Sequence, residues 1–354
     1  MSAALEALLQ RCWWQPRPGV LAWALWPLSL LYRALWALHR RRAPSPPALP
    51  VPVLVVGNHV VGGAGKTPTV IALVQALQAR GHRPGVISRG HGRQGSAPVA
   101  VREGASASEV GDEPLLIQRR CQVPVWVGRQ RAAAALALCQ AHPEVDVLVS
   151  DDGLQHLALP RQAEVVVFDE RGAGNGLLLP AGPLREPLPT RQPAGRRVLY
   201  TAGPPSTPLP GLLARRELSR AWPLAAWWAG DATQALPLQQ LQGRPLLAAA
   251  GLAAPAKFFG LLAQAGLRFE PLPLPDHHPY ATLPWPAGTP DVLVTEKDAV
   301  KLAPGAMGAT RVWVLPLDFL LPPGLVDELL VLLFPAPQAT ESPRPAPHST
   351  ERRP

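Results

Sequence analysis

From residue 53 onward the chain alternates short apolar runs with stretches whose apolar residues recur at helical spacing. The first run, Val53-Leu54-Val55-Val56, has the valine richness and length of a buried strand. It is followed by a glycine-rich turn and then by Ile71, Leu73, Val74 and Leu77, which share one helical face. The same reading predicts strands at 83–87, 123–127, 145–149 and 163–168, with helices at 115–120 and 129–141 between them. Strands at 197–200, 244–252, 290–295 and 311–315, with helices at 255–265 and 325–334, form a later set. Alternation of this kind implies parallel sheets covered on both faces by helices, with ligands bound beyond the C-terminal ends of the strands.

Two stretches fall outside that alternation. Residues 20–38 read VLAWALWPLSLLYRALWAL and are followed by His39-Arg40-Arg41-Arg42. Nineteen helical residues would span roughly 28 Å, about the hydrocarbon thickness of a bilayer. Pro27 and Arg33 interrupt the run, and Trp13, Trp14, Trp23, Trp26 and Trp36 favour the membrane interface. An interfacial or shallowly inserted anchor with its arginines on anionic cytoplasmic headgroups is therefore expected. A cleaved signal peptide is not, because the run ends in basic side chains. Residues 335–354 have no apolar period and are expected to be a disordered tail. The chain divides into an anchor at 1–42, a first α/β unit at 43–195, a smaller second one at 196–334, and the tail. The boundary at 195 is drawn where the composition turns proline-rich.

Composition refines this picture. The 354 residues carry 34 basic and 25 acidic side chains, a net charge of +9, which favours an acidic partner. No arginine run interleaved with aromatics is present in the body of the chain, so a phosphorylated substrate or anionic lipid is preferred over nucleic acid. Three cysteines without a C-x-x-C pair suggest a reducing compartment without structural disulfides or zinc. Only four basic residues are lysines (Lys66, Lys257, Lys297, Lys301), and only two residues are asparagines (Asn58, Asn175). In so arginine-rich a chain, these survivors stand out.

The candidate chemistry sits at predicted strand ends. Gly62, Gly63, Ala64, Gly65, Lys66 and Thr67 follow the first strand and open a helix, the arrangement of a phosphate cradle. Backbone N–H groups would face phosphate oxygens, Lys66 would reach the outer phosphates, and Thr67 would place its hydroxyl on Mg²⁺. One position departs from the usual spacing: Val60 stands where a glycine is expected. Asp151-Asp152 ends another strand, the usual place for a carboxylate acting on Mg²⁺, and Gln155-His156 follow. Ser88-Arg89-Gly90-His91-Gly92, Gly111-Asp112-Glu113-Pro114, the stiff loop ending in Arg185-Glu186, and Asp276-His277-His278-Pro279-Tyr280 complete the set.

With GNHVVGGAGKTPT, SRGHG, GDEP, SDDGLQH, GNGLLLPAGPLRE, DHHPY and TEKDAVK in this order, the chain resembles the tetraacyldisaccharide 4'-kinase family, the lipid A 4'-kinases of Gram-negative bacteria, from Trp13 to Phe334. The resemblance implies a P-loop NTPase-like parallel-sheet domain, a second smaller α/β/α domain across a cleft, and an N-terminal membrane-associating helix. It implies ATP and Mg²⁺ as cofactors and a membrane glycolipid, lipid A disaccharide 1-phosphate, as acceptor at the cytoplasmic face of the inner membrane. By motif position, Asp112 would be general base, oriented by His277, with Asp152 also catalytic. Thr67, Asp151 and Glu186 would serve the metal, and Arg89, Gln155, His156 and Arg185 the substrate. His277 is chosen over His278 because it directly follows the aspartate. The alternative is a membrane-recruited P-loop switch ATPase, but such proteins carry a lysine just before Gly-Gly, where this chain has Val61.

Overall fold

The computed structural model describes residues 3–93 and 95–335. Apart from Pro335, the expected tail lies outside the described residues. Two helices come first, α1 (Ala3–Trp13) and α2 (Val20–Arg41). The first α/β unit then contains β1 (Val53–Gly57), α3 (Lys66–Gln78), β2 (Pro84–Ser88), β3 (Val99–Ala100), α4 (Ala107–Val110) and α5 (Asp112–Cys121). It continues with β4 (Val125–Val127), α6 (Arg131–Ala141), β5 (Val147–Asp151), β6 (Ala163–Phe168), β7 (Arg196–Tyr200) and β8 (Leu212–Leu213). The rest comprises β9 (Arg215–Glu217), β10 (Arg220–Pro223), α7 (Leu224–Ala229), β11 (Leu236–Pro237), β12 (Leu246–Ala250), α8 (Pro255–Gln264) and β13 (Glu270–Pro273). It ends with β14 (Asp291–Thr295), α9 (Glu296–Ala299), β15 (Arg311–Leu315), β16 (Asp318–Leu320) and α10 (Leu325–Leu333).

The larger sheet has the order β3-β4-β2-β5-β1-β6-β7-β8 and is parallel except for β3. Period-two alternation explains how both its faces are covered. Leu54 and Val56 of β1 join the core that holds α3 and α5, while Val53 and Val55 face the one that holds α6. The smaller sheet, β11-β10-β15-β14-β12-β13, is parallel through β15, β14, β12 and β13. Phe258 and Leu262 of α8 cover one of its faces.

Three features depart from the sequence reading. The boundary at 195/196 falls inside the larger sheet, because β7 pairs in parallel with β6 and β8 with β7. The proline-rich segment before β7 is a connection within that sheet, so composition marked a loop there. Helix α5 begins at Asp112, three residues earlier than expected, with Gly111 at φ 94° turning the chain into it. That start puts Asp112 in the first helical turn. Helix α1 lies outside the expected elements; it buries Cys12 and Trp13 against the 177–179 region.

Candidate active site

Lys66 opens α3 immediately after Gly65, whose backbone is left-handed at φ 88°. A Cβ there would stand 2.9 Å from the Phe319 ring, so both conformation and space require glycine. At Gly63 a side chain would meet nothing within 4 Å, leaving an open approach to the loop. The loop's carbonyls are tied from outside: Arg171 Nη2 donates to Gly63 O at 2.8 Å, and Thr201 Oγ1 to Ala64 O at 3.2 Å. The N–H groups of the first turn of α3 have no partner within the helix and present its positive dipole end. Thr67 lies half-buried in that turn. The irregular Val60 also has a reason: it is fully buried and bridges to Leu184, while Val61 N–H donates to Pro183 O at 2.9 Å. The entry to the loop is strand-like, so it requires a side chain there.

Lys66 Nζ is 3.3 Å from Asn58 Oδ1 and 3.7 Å from Asp152 Oδ1. Arg185 Nη1 reaches both Asp152 oxygens, at 3.2 and 3.3 Å. Burial opposes ionisation of Asp152, but Lys66 and Arg185 outweigh it and hold its carboxyl below the usual range. The Asp152 backbone is left-handed (φ 48°), a strained conformation for a residue other than glycine.

Asp151 lies in a different environment. It is 1% exposed, accepts from Ser88 Oγ at 3.2 Å through Oδ2, and has no hydrogen-bond partner for Oδ1 among the described residues. Burial first, then the charges of Glu113 and Asp152, push its carboxyl up to about 7. An orphaned carboxylate oxygen amid surplus negative charge fits a hard divalent cation. No cluster of three or more acidic, His or Cys side chains able to hold a metal occurs among the described residues. That is compatible with Mg²⁺, which is usually bound through one or two carboxylates together with substrate phosphates.

Gln155 Nε2 donates to Glu186 Oε1 at 2.8 Å and to Asn58 O at 3.0 Å. Glu186 also faces His59 Nδ1 at 3.3 Å, so its partners are a glutamine and a histidine. His156 is pushed down to about 4 by burial, with Arg131 and Arg89 adding to the effect, and is neutral at pH 7. Arg131 is 2% exposed, donates to Gly128 O at 2.9 Å, and is pushed down to about 10 by burial, still cationic at neutral pH. Arg89 lies exposed at the end of β2.

The other half of the site crosses between the sheets. His277 Nδ1 stands 2.9 Å from Asp112 Oδ2, and Lys301 Nζ 3.3 Å from the same oxygen. Lys297 Nζ lies 3.3 Å from His277 Nε2 and 3.1 Å from Asp276 Oδ1. Burial of Asp112 is countered by the His277 hydrogen bond and then by Lys301, which keep its carboxyl below the usual range and ionised at neutral pH. His278 is turned elsewhere, its Nδ1 accepting from Tyr280 N–H at 3.2 Å. His277 and Tyr280 both have left-handed backbones, φ 58° and 54°. His91 of the SRGHG turn stacks obliquely on His277, with ring centroids 5.4 Å apart. A cavity of about 1020 Å³ lined by Arg119, Arg120, Trp227 and Trp228 lies apart from these groups: neither Asp112, Lys66 nor Asp152 lines it.

The structure therefore brings together Lys66, Asp152, Arg185 and Gln155, and separately Asp112 and His277, with Glu113 close enough to Asp151 to link the two groups electrostatically. Sequence reading did not assign Lys301, Lys297, Arg131, His59 or Arg171 to the site. The scarcity of lysine was the available signal: all four lysines pair with carboxylates here, Lys66 with Asp152, Lys257 with Asp169, Lys297 with Asp276 and Lys301 with Asp112.

The chain matches the family described as tetraacyldisaccharide-1-P 4'-kinase over residues 21–333. A tetraacyldisaccharide 4'-kinase of Leptothrix cholodnii is 56% identical over 338 residues, covering 93% of this chain and 96% of its own. One from Methylibium petroleiphilum is 54% identical over 342 residues, covering 94% and 95%. A crystal structure of LpxK from Aquifex aeolicus in complex with ATP aligns with a TM-score of 0.72 at 27% identity, covering 89% of this chain and 100% of its own. Motifs, fold and relatives agree: the chain belongs to the tetraacyldisaccharide 4'-kinase family.

Proposed function

We propose that the groove between the two sheets transfers the γ-phosphate of ATP to the 4'-hydroxyl of tetraacyldisaccharide 1-phosphate, a step of lipid A biosynthesis. The observation that carries the residue assignment is the 2.9 Å Asp112–His277 contact, made across the two sheets to an ionised carboxylate. Asp112 takes the proton of the acceptor hydroxyl as its oxygen bonds to the γ-phosphorus. The bond from that phosphorus to the bridging oxygen breaks, and ADP leaves. His277 orients the carboxylate, and Lys301 stabilises its charge. The N–H groups of residues 62–67 and Lys66 hold the donor phosphates, while Arg185, Arg89 and Arg131 supply positive charge around the groove.

Thr67 and Asp151 would hold Mg²⁺, with Glu186 ordering Gln155 and His59 behind them. When bound, that ion neutralises charge on the phosphates. The unit built on the smaller sheet supplies His277, Lys297 and Lys301 and acts as the closing half of the cleft. Helix α2 is long and apolar enough to cross a membrane, and Val20, Trp23, Trp26, Leu31 and Leu35 are exposed on it. It would seat the enzyme on the cytoplasmic face of the inner membrane, with Arg40, Arg41 and Arg42 against anionic lipids, so that acyl chains stay in the bilayer during transfer.

The test supplies ATP, Mg²⁺ and the disaccharide lipid in detergent and reads phosphate on the 4'-hydroxyl; absence of transfer removes the proposal. For the anchor, Trp23→Ser with Leu31→Ser and Leu35→Ser should release the protein from inner-membrane vesicles. Full retention in the pellet would remove α2 from that role.

A further inference from the structure

The loop carrying Arg185 and Glu186 is held by the N-terminal helices. Trp13 Nε1 donates to Pro180 O at 2.8 Å, and Asn175 N–H donates to Trp13 O at 2.8 Å. Ser29 Oγ donates to Leu178 O at 2.8 Å and accepts from Ala181 N–H at 3.1 Å. Most specific of all, Tyr32 OH donates to the backbone oxygen of Arg185 at 2.7 Å. The N–H of Arg185 itself donates to His59 O at 2.7 Å. Its peptide groups are thus gripped from two directions, by the end of β1 and by α2, while its side chain reaches Asp152.

An arginine has a long side chain with many rotamers, so the aim of its guanidinium depends on how firmly its backbone is held. Burial pushes the Tyr32 phenol up, so it remains a donor throughout the physiological range. Phenylalanine would fill the same space and lose only that donor. Ala22 and Ser29 are the buried residues of α2, which leaves the helix's large apolar side chains free to meet lipid while Tyr32 reaches the loop.

We propose that Tyr32 is a positioning residue for phosphoryl transfer: by fixing the Arg185 carbonyl it sets the guanidinium against Asp152 and the donor phosphates, so that turnover depends on how α2 is seated. This rests on the role given above to Arg185. The experiment uses the full chain with lipid acceptor in mixed micelles and compares Tyr32→Phe, Arg185→Ala and the double variant. Tyr32→Phe should lower kcat about fivefold to tenfold, the scale of one hydrogen bond, with KM for the lipid and sedimentation with vesicles unchanged. Arg185→Ala keeps the backbone oxygen but removes the guanidinium, so in that background Tyr32→Phe should cost nothing further. An unchanged kcat in Tyr32→Phe, or an equal loss in both backgrounds, overturns the inference while leaving Arg185 in its role. Full kcat in Arg185→Ala overturns that role and the inference with it.

Discussion

Asp112, in the first turn of α5, and Asp151, at the end of β5, are both buried carboxylates, and the protein surrounds them in opposite ways. Asp112 receives a histidine at 2.9 Å and a lysine ammonium at 3.3 Å, both from the far sheet, and stays ionised despite burial. Asp151 receives a serine hydroxyl, is crowded by Asp152 and Glu113, and keeps one oxygen without a hydrogen-bond partner among the described residues. The difference separates two kinds of charge. The carboxylate whose counter-charge is built in suits a group that must accept a proton in every cycle. The one whose nearby cations, Lys66 and Arg131, do not offset burial and its acidic neighbours suits a group completed by a ligand.

The largest test of this contrast is Asp112→Ala, which should lower kcat by about 10²–10⁴ with little change in KM for ATP. A near-normal rate in the lipid phosphorylation assay would dissolve the distinction. Next, Asp151→Asn should weaken apparent Mg²⁺ affinity by about 10–100-fold, read from the Mg²⁺ dependence of turnover. Lys301→Met should raise the Asp112 pKa by removing the nearest cation, so the acid limb of kcat against pH should move to higher pH. An unmoved limb would show that Lys301 does not hold that charge.

The smallest effect concerns stability. A carboxyl whose folded pKa is raised contributes stability fully below its unfolded value and loses it as pH climbs toward the folded one, here from about 4 to about 7. Nucleotide-free Asp151→Asn should therefore melt about 2–4 °C above the parent protein at pH 8, with the gap closing toward pH 4. A gap of the same size at both pH values would assign it to packing instead.

The two centres were unequally legible in the sequence. The Asp151 side follows local rules: apolar strand, glycine turn and Lys-Thr at a helix start are close along the chain, and Asp151-Asp152 ends a strand of the same sheet. The Asp112 side is assembled from residues 165 and 189 positions away, for which no spacing rule exists; the residues alone put the adjacent histidines among the candidates, and only the resemblance paired His277 with Asp112. Lys297 and Lys301 stood out only as scarce lysines, because nothing near them in the chain points to Asp112 as a partner. Short strands such as β8 and β11 went unread because two residues carry no period. Arg131 was hidden in an alanine-rich helix whose composition says nothing about burial.

The concentration of lysine has a practical consequence for chemical modification. Lys66, Lys257, Lys297 and Lys301 are all partly or largely shielded, between 6% and 25% exposed, and all engage acidic partners, Lys257 with the Asp169 that also holds Arg171 against the phosphate loop. The arginine-rich exterior offers no other side-chain amine. An amine-selective acylating reagent, usually indiscriminate, would on this protein report on the groove, and protection by nucleotide could be followed one lysine at a time by peptide mass.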